Sequence, residues 1–118
     1  MRKITASALQ FNIAVGNIKE NLKKALSALQ RAAEQGAQLA VLPEMWSCGY
    51  DYKNLSSLAM ETPQVLDKWR DQCAKLKMVS VGSLPELADG TIYNTAYLID
   101  RGEVLGSYRK LHLFSTMG

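Results

Sequence analysis

The sequence contains little of what marks a secreted, membrane-spanning or metal-binding protein. Its two cysteines, Cys48 and Cys73, are too few for a disulfide scaffold in 118 residues, which favours a reducing, cytoplasmic setting. No segment approaches the roughly 20 apolar residues that a membrane span needs. The cysteines and the single histidine, His112, lack the spacing of metal ligands. We therefore expect neither a membrane partner nor a metal site.

The chain also lacks a strong excess of one charge. It carries 14 basic and 11 acidic residues, and its densest basic run, 19–24, is interrupted by Glu20 and Leu22. Glu20 and Lys24 have the i,i+4 spacing of a pair on a helix surface. Nucleic-acid binding would require a basic stripe with stacking aromatic residues, and neither is visible. The charges therefore predict a solvated helix face and no nucleic-acid partner.

What the chain does contain is the composition of an ordinary globular protein. Apolar residues make up 47% of it and charged residues 21%. A length of 118 residues is close to the commonest size of one domain. Together these values predict one folding unit that spans residues 1–118.

The hydrophobic pattern predicts alternating strands and helices. The clearest helix begins at Asn17, a typical N-cap, with Glu20 placed as in a capping box, and ends near Gly36. A second helix is predicted with Thr62 as its cap and Pro63 as its first residue. The predicted strands cover residues 3–11, 39–42, 78–84, 91–99 and 104–108. This order predicts an α/β fold, with helices on one face of a mixed sheet.

The remaining segments are predicted to be irregular. Residues 46–57 have the composition of a loop with at most one helical turn, and residues 110–118 form a polar, glycine-terminated loop after the last strand. Two helices cannot cover both faces of such a sheet, so one face should stay exposed. We therefore expect the chain to be part of a larger fold.

Two charged residues stand where chemistry could occur. Glu44 follows a buried strand, and ligand sites of α/β sheets gather beyond the carboxyl ends of strands. Partial desolvation there would raise the pKa of Glu44 toward the range of a general base. Lys110, flanked by apolar and aromatic residues, could stabilise negative charge on a substrate oxygen. Position alone favours an ordinary surface carboxylate and an ordinary surface lysine.

Several segments together resemble one enzyme family. Leu42–Trp46, Cys48–Tyr50, Val81–Glu86, Tyr93–Ala96 and Tyr108–Leu113 resemble successive blocks of the nitrilase-type carbon–nitrogen hydrolases, in the same order and at similar spacing. The resemblance covers nearly the whole chain. It implies the N-terminal half of a four-layer α-β-β-α sandwich.

The resemblance also implies a Glu-Lys-Cys triad that hydrolyses small linear amides without a cofactor. Glu44 matches the general base that activates the thiol, and Lys110 matches the group that stabilises the oxyanion. Trp46 and Tyr50 match residues that border the substrate pocket, although Trp46 could equally pack under its loop. Relatives carry the nucleophilic cysteine beyond the lysine, and Cys48 is not expected to replace it. Relatives generally form homo-oligomers.

Two functions stay open at this point. The ending 113–118 resembles the omega-amidase-like branch, which hydrolyses terminal amides of small dicarboxylic acid monoamides. The chain would then be part of a working amidase, inactive by itself. The alternative is an inactive nitrilase-derived module that binds a ligand or another protein. Retention of both Glu44 and Lys110 favours the amidase, and the missing thiol favours the module.

Overall fold

The fold is described from a computed structural model that covers residues 3–115, with side chains described for residues 3–113. In chain order its elements are β1 (Ala6–Ala8), α1 (Ile18–Glu34), β2 (Leu39–Val41), α2 (Leu55–Met60), α3 (Thr62–Leu76), β3 (Val79–Ala88), β4 (Thr91–Asp100) and β5 (Glu103–Ser115). The predicted α/β class is confirmed, with α2 as an additional short helix. No helix within the described range is both long and apolar enough to cross a membrane.

The five strands form one mixed sheet in the order β1-β2-β3-β4-β5. The β1–β2 and β2–β3 pairs are parallel, because helical connections return the chain to the same end of the sheet. The β3–β4 and β4–β5 pairs are antiparallel. Their connections are Asp89-Gly90 and Arg101-Gly102, and all four residues have positive φ. This is the backbone of tight hairpin turns whose twist matches that of the strands.

Local signals fix α1 as predicted. The Asn17 side chain accepts a hydrogen bond from the Glu20 backbone N–H at 3.1 Å, which confirms the cap. The Asn17 backbone N–H donates to the Ala14 carbonyl at 3.0 Å, where a capping box would have used the Glu20 side chain. Gly36, with φ of +88°, follows the last turn and allows the chain to leave the helix.

The start of α3 differs from its prediction by one residue. Glu61 occupies the cap position, and Thr62 and Pro63 lie in the first turn. The Thr62 hydroxyl donates to the Pro85 carbonyl at 2.6 Å, so it fastens the helix to β3 and does not cap it. A tertiary contact has therefore taken the hydroxyl that the sequence pattern assigned to a local role.

The main core lies between one face of the sheet and the two long helices, α1 and α3. Leu29 of α1 and Trp69 of α3 are fully buried against Ala40 of β2 and Ile99 of β4. The Trp69 indole N–H donates to the Ser80 hydroxyl at 3.1 Å, so these two buried polar groups are paired. Loss of a tryptophan side chain from such a core costs about 3–5 kcal/mol. The helices therefore hold the sheet from one side, as predicted.

The opposite face of the sheet is open. Strand register aligns Ala8, Val41, Val81, Leu98 and Gly106 in one row across the five strands. These positions alternate with the buried residues that face the helices. Val41 is 41% exposed and Leu98 is 38% exposed. The expected uncovered sheet face is present within the described residues, and we call it the open face.

Four segment predictions need correction. β1 is shorter than the predicted 3–11, and β3 continues to Ala88, past the predicted 78–84. The short helix α2 begins inside the predicted loop 46–57. β5 continues to Ser115, so residues 110–115 belong to a strand and not to the predicted loop. The β4–β5 ladder supplies backbone partners that outweigh the polar composition of this stretch. Residues 116–118 lie outside the described part of the chain.

Candidate active site

Glu44 lies in a turn that follows β2 and is fastened to β3. The backbone N–H of Met45 donates to the Ser83 hydroxyl at 2.9 Å, and that of Trp46 donates to the Ser83 carbonyl at 3.3 Å. Met45 is fully buried and has φ of +52°, a conformation that a non-glycine residue adopts at a cost. Packing and hydrogen bonds therefore hold Glu44 at the carboxyl end of a parallel strand.

A β-bulge presents Lys110. In the β4–β5 ladder, Asn94 pairs with Leu111 and Thr95 pairs with Arg109, so Lys110 is the extra residue between them. A bulge of this kind interrupts the alternation of side chains and redirects the extra one. The irregularity therefore explains why this lysine can turn toward the Glu44 turn.

These two residues, 66 positions apart in the chain, are in contact. The Lys110 ammonium donates to Glu44 Oε1 in a short ion pair. The Asn94 Nδ2 donates to the same carboxylate oxygen at 3.2 Å and to the Tyr50 hydroxyl at 3.2 Å. The structure therefore brings together Glu44, Lys110 and Tyr50, three of the predicted site residues.

The charge state of Glu44 differs from the expectation. The hydrogen bond from Lys110 lowers the pKa of the Glu44 carboxyl, and burial, which would raise the pKa, is the weaker effect. Burial is weak because the side chain remains 49% exposed. The prediction of a raised pKa is therefore wrong, and Glu44 is an ionised carboxylate at neutral pH. Burial, followed by the Glu44 charge, raises the pKa of Tyr50, which stays a neutral phenol.

A cavity of about 220 Å³ adjoins the ion pair. Glu44 and Lys110 both line it, together with Val41, Val81 and Ala96. Val41 and Val81 belong to the open face, so the cavity lies on the side of the sheet away from α1 and α3. It combines one anion and one cation with an apolar floor, the combination that small-molecule sites use to orient a polar ligand.

Trp46 does not lie where substrate binding would require it. Its side chain is fully buried and meets Trp69 edge-on, with ring centroids 5.5 Å apart. Gly82 lies beneath it, and a Cβ there would come within 3.2 Å of the indole ring. The interpretation of Trp46 as a pocket residue is therefore replaced by its alternative, packing under the loop. It supports the Glu44 turn from inside the core.

The two cysteines are also buried and unreactive. Cys48 and Cys73 are fully buried, and burial raises the pKa of each thiol to about 11. A thiol of this kind carries almost no thiolate at neutral pH, and thiolate is the nucleophilic form. Neither cysteine is suited to act as a nucleophile.

Two contributors to the site were not assigned to it from the sequence. Ser83 fixes the Glu44 turn through both its hydroxyl and its carbonyl, and Asn94 bridges Glu44 and Tyr50. Both residues belong to segments that resemble the family, which was the available signal. Their roles depend on strand register, and no local pattern in the sequence encodes that.

Comparison with known proteins agrees with the fold. The profile of the family described as Carbon-nitrogen hydrolase matches residues 5–117. The chain is 39% identical to a 2-oxoglutaramate amidase of Bacillus subtilis (strain 168), over 98% of the chain and 45% of that protein. It is 35% identical to an omega-amidase of Xenopus tropicalis, over 97% of the chain and 42% of that protein.

A solved structure shows the same architecture. The amidase of Nesterenkonia sp. AN1 superposes with a TM-score of 0.84 and 29% identity, over 96% of this chain and 46% of that one. Other structures of that amidase include one with acrylamide added to its active-site cysteine. The chain thus spans less than half the length of each of these relatives. It belongs to the carbon–nitrogen hydrolase family.

Proposed function

We propose that residues 1–118 form the N-terminal part of a nitrilase-like amidase domain that hydrolyses the terminal amide of a small linear substrate. The observation that carries the proposal is the contact of Lys110 with Glu44 across 65 intervening residues, beside a cavity. The names of the relatives suggest 2-oxoglutaramate as the first substrate to test. Glu44 would serve as the general base and Lys110 as the oxyanion stabiliser.

The pair is difficult to explain as a stabilising salt bridge. Its side chains are 41% and 49% exposed, and exposed pairs of this kind contribute about 0–1 kcal/mol. Yet a β-bulge directs Lys110 toward Glu44. Met45, the residue after Glu44, has its backbone in the left-handed region, and the buried amide of Asn94 donates to the Glu44 carboxylate. Structural irregularities that add little stability are typical of functional sites.

The proposed chemistry uses both charges. Glu44 accepts the proton of a cysteine thiol, and the thiolate attacks the amide carbon. The oxyanion that develops lies against the Lys110 ammonium, which stabilises it without reorganisation. Collapse of this intermediate breaks the C–N bond as the leaving nitrogen takes the proton from Glu44, and ammonia departs. Water, deprotonated by Glu44, then hydrolyses the thioester, which releases the acid and restores the thiol.

The nucleophile would come from sequence outside these 118 residues. Both cysteines of the chain are buried and protonated. The comparable amidase of Nesterenkonia sp. AN1 has an active-site cysteine, and this chain aligns with only 46% of that protein. Tyr50, whose ring is 41% exposed beside Glu44, is proposed to contact the substrate.

The test uses the intact protein isolated from its source. Its mass is measured first, and we expect a value well above the 13.1 kDa of these residues. Turnover of 2-oxoglutaramate is then followed in the wild type and in the variants Glu44→Gln and Lys110→Met. Each variant should lower kcat by about 10²- to 10³-fold, because each removes one preorganised charge.

Two matched substitutions serve as controls. Glu103→Gln and Lys68→Met remove the same charges from exposed positions away from the cavity and should leave kcat unchanged. An inactive wild type that still binds the amide would support the binding module instead. Turnover by the 118-residue chain alone would contradict an external nucleophile. A kcat equal to that of the wild type in both Glu44→Gln and Lys110→Met would refute the roles assigned to Glu44 and Lys110.

A further inference from the structure

The Asn94 side chain forms a set of hydrogen bonds that the fold alone does not require. It lies on β4, is 1% exposed, and pairs with Pro85 on one side and Leu111 on the other. Its Nδ2 donates to Glu44 Oε1 and to the Tyr50 hydroxyl, both at 3.2 Å. Its Oδ1 is buried and has no hydrogen-bond partner among the described residues. A buried polar atom left unpaired is rare and calls for a functional explanation.

The orientation of this amide follows from chemistry. The other rotamer would place Oδ1 against the Glu44 carboxylate, where two acceptors repel each other. Only the NH2 group can face Glu44, and the carbonyl must then point into a place without a donor. The unpaired oxygen is therefore the consequence of directing two N–H donors at Glu44 and Tyr50.

The same amide also sets the direction of the Tyr50 proton. Tyr50 accepts from Asn94, so its own O–H must donate elsewhere. Glu44 receives hydrogen bonds from Lys110 and Asn94. The Lys110 ammonium and the Tyr50 hydroxyl lie at the ends of long or rotatable side chains that are about 40% exposed. Asn94 is the one fully buried member of this group of four, and its strand fixes it on both sides.

We propose that Asn94 is a positioning residue of the hydrolase site: it holds the Glu44 carboxylate and the Tyr50 hydroxyl in the geometry that accepts the thiol proton. The proposal rests on the proposed function of Glu44 as general base. It adds a residue that does not touch the reacting atoms but determines where the base lies. A conformationally free carboxylate on this exposed turn would instead rotate toward solvent.

The first measurement is the titration of the Glu44 carboxyl by NMR in the intact protein. Asn94→Leu keeps the shape and removes both donors, and Asn94→Asp keeps the shape and turns the facing donor into an acceptor. Because the amide hydrogen bond favours the ionised form, the pKa of Glu44 should rise in the order wild type, Leu variant, Asp variant. Asn21→Ala is the control, since Asn21 is a fully buried asparagine bonded to Ala14 and Ser47 and not to Glu44.

The second measurement is the pH profile of the intact enzyme. We expect kcat to fall by about 10- to 100-fold in both Asn94 variants, as for other residues that orient a catalytic group, with KM changing less than threefold. The acid limb of the kcat/KM profile should shift to higher pH in the same order as the pKa of Glu44, from the wild type to the Leu variant to the Asp variant. Asn21→Ala should lower the thermal midpoint without moving that limb, which separates positioning from general destabilisation.

Each outcome decides the matter. Identical Glu44 titrations in the wild type and both Asn94 variants would refute the positioning role, whatever the activity. An active wild type with unchanged kcat and acid limb in the folded Asp variant would do the same and leave the proposed function intact. An inactive intact wild type would remove the proposed function and this proposal together.

Discussion

At the scale of single residues, the environment of each titratable group decides what it can do. Glu44 has a lowered pKa because Lys110 donates to it, so the carboxylate is ionised at neutral pH but is a weaker base than an unpaired carboxylate. Cys48 and Cys73 have raised pKa values because they lie in apolar surroundings. The chain therefore provides a charged base and two unreactive thiols.

We predict that the two thiols do not react with a disulfide reagent such as DTNB at pH 7.5 in the folded chain. Burial removes the thiolate, since the pKa of each thiol is about 11, and it also blocks access. When the same chain is unfolded in urea, both thiols should react with the reagent within minutes. Rapid reaction of one thiol in the folded chain would identify it as accessible and reopen Cys48 as a nucleophile.

These pKa shifts also predict a pH dependence of stability. A thiol whose pKa is raised from 9.0 to about 11 on folding keeps its proton in the folded state while the unfolded chain loses it. The contribution of each buried thiol to the free energy of unfolding is then fully present below pH 9 and is lost as the pH rises toward 11. Urea unfolding at pH 8 and pH 10 should show this loss, and it should be smaller in Cys73→Ala. An unchanged slope in that variant would contradict the assignment.

At the scale of elements, two features of the strands shape the site. The bulge in β5 redirects Lys110, and two tight hairpins join β3, β4 and β5 into long antiparallel ladders. The second hairpin is also fastened to α3, because the Arg70 guanidinium donates to the Gly102 carbonyl at 2.9 Å. The position of β5, and hence of Lys110, depends on this turn.

We predict that Gly102→Ala destabilises the chain by about 1–3 kcal/mol. Gly102 has φ of +100°, and an added Cβ would lie 2.8 Å from the Ala74 Cβ and 3.3 Å from the Arg70 carbonyl oxygen. Gly106→Ala is the matched control, since a Cβ there meets nothing within 4 Å, and it should change stability by no more than about 0.5 kcal/mol. Equal urea midpoints for the two variants would show that the turn tolerates a side chain.

At the scale of the whole molecule, the open face dominates. Its row includes Val41 and Leu98, and Tyr108, which pairs with Ala96 on the same face, is 72% exposed. Apolar sheet surface of this extent favours association. The candidate site lies on the same face, so whatever covers it also encloses the cavity.

We predict that the 118-residue chain self-associates through the open face, with a light-scattering mass above 13.1 kDa that rises with concentration. Val41→Lys combined with Leu98→Lys should return it to the monomer mass, because two charges oppose apolar contact. Val15→Lys combined with Met60→Lys is the control, since these residues are 66% and 67% exposed but lie outside the strands. An oligomer unaffected by the first pair would place the contact elsewhere.

The sequence alone determined the class of fold, the helix cap at Asn17 and the family. These features depend on residues close together in the chain or on blocks compared one by one. It also proposed Glu44 and Lys110 as partners, but only through the resemblance. The length of β5 was missed because ladder pairing, a non-local interaction, outweighed local polarity.

The tertiary structure decided the rest. The burial of Trp46 depends on Trp69 from α3, and the lowered pKa of Glu44 depends on a lysine 66 positions away. The bulge that turns Lys110 and the register that places Asn94 arise from how β4 and β5 pair. Burial, charge proximity and register are properties of contacts between distant segments, and a linear pattern of residue types carries no distances.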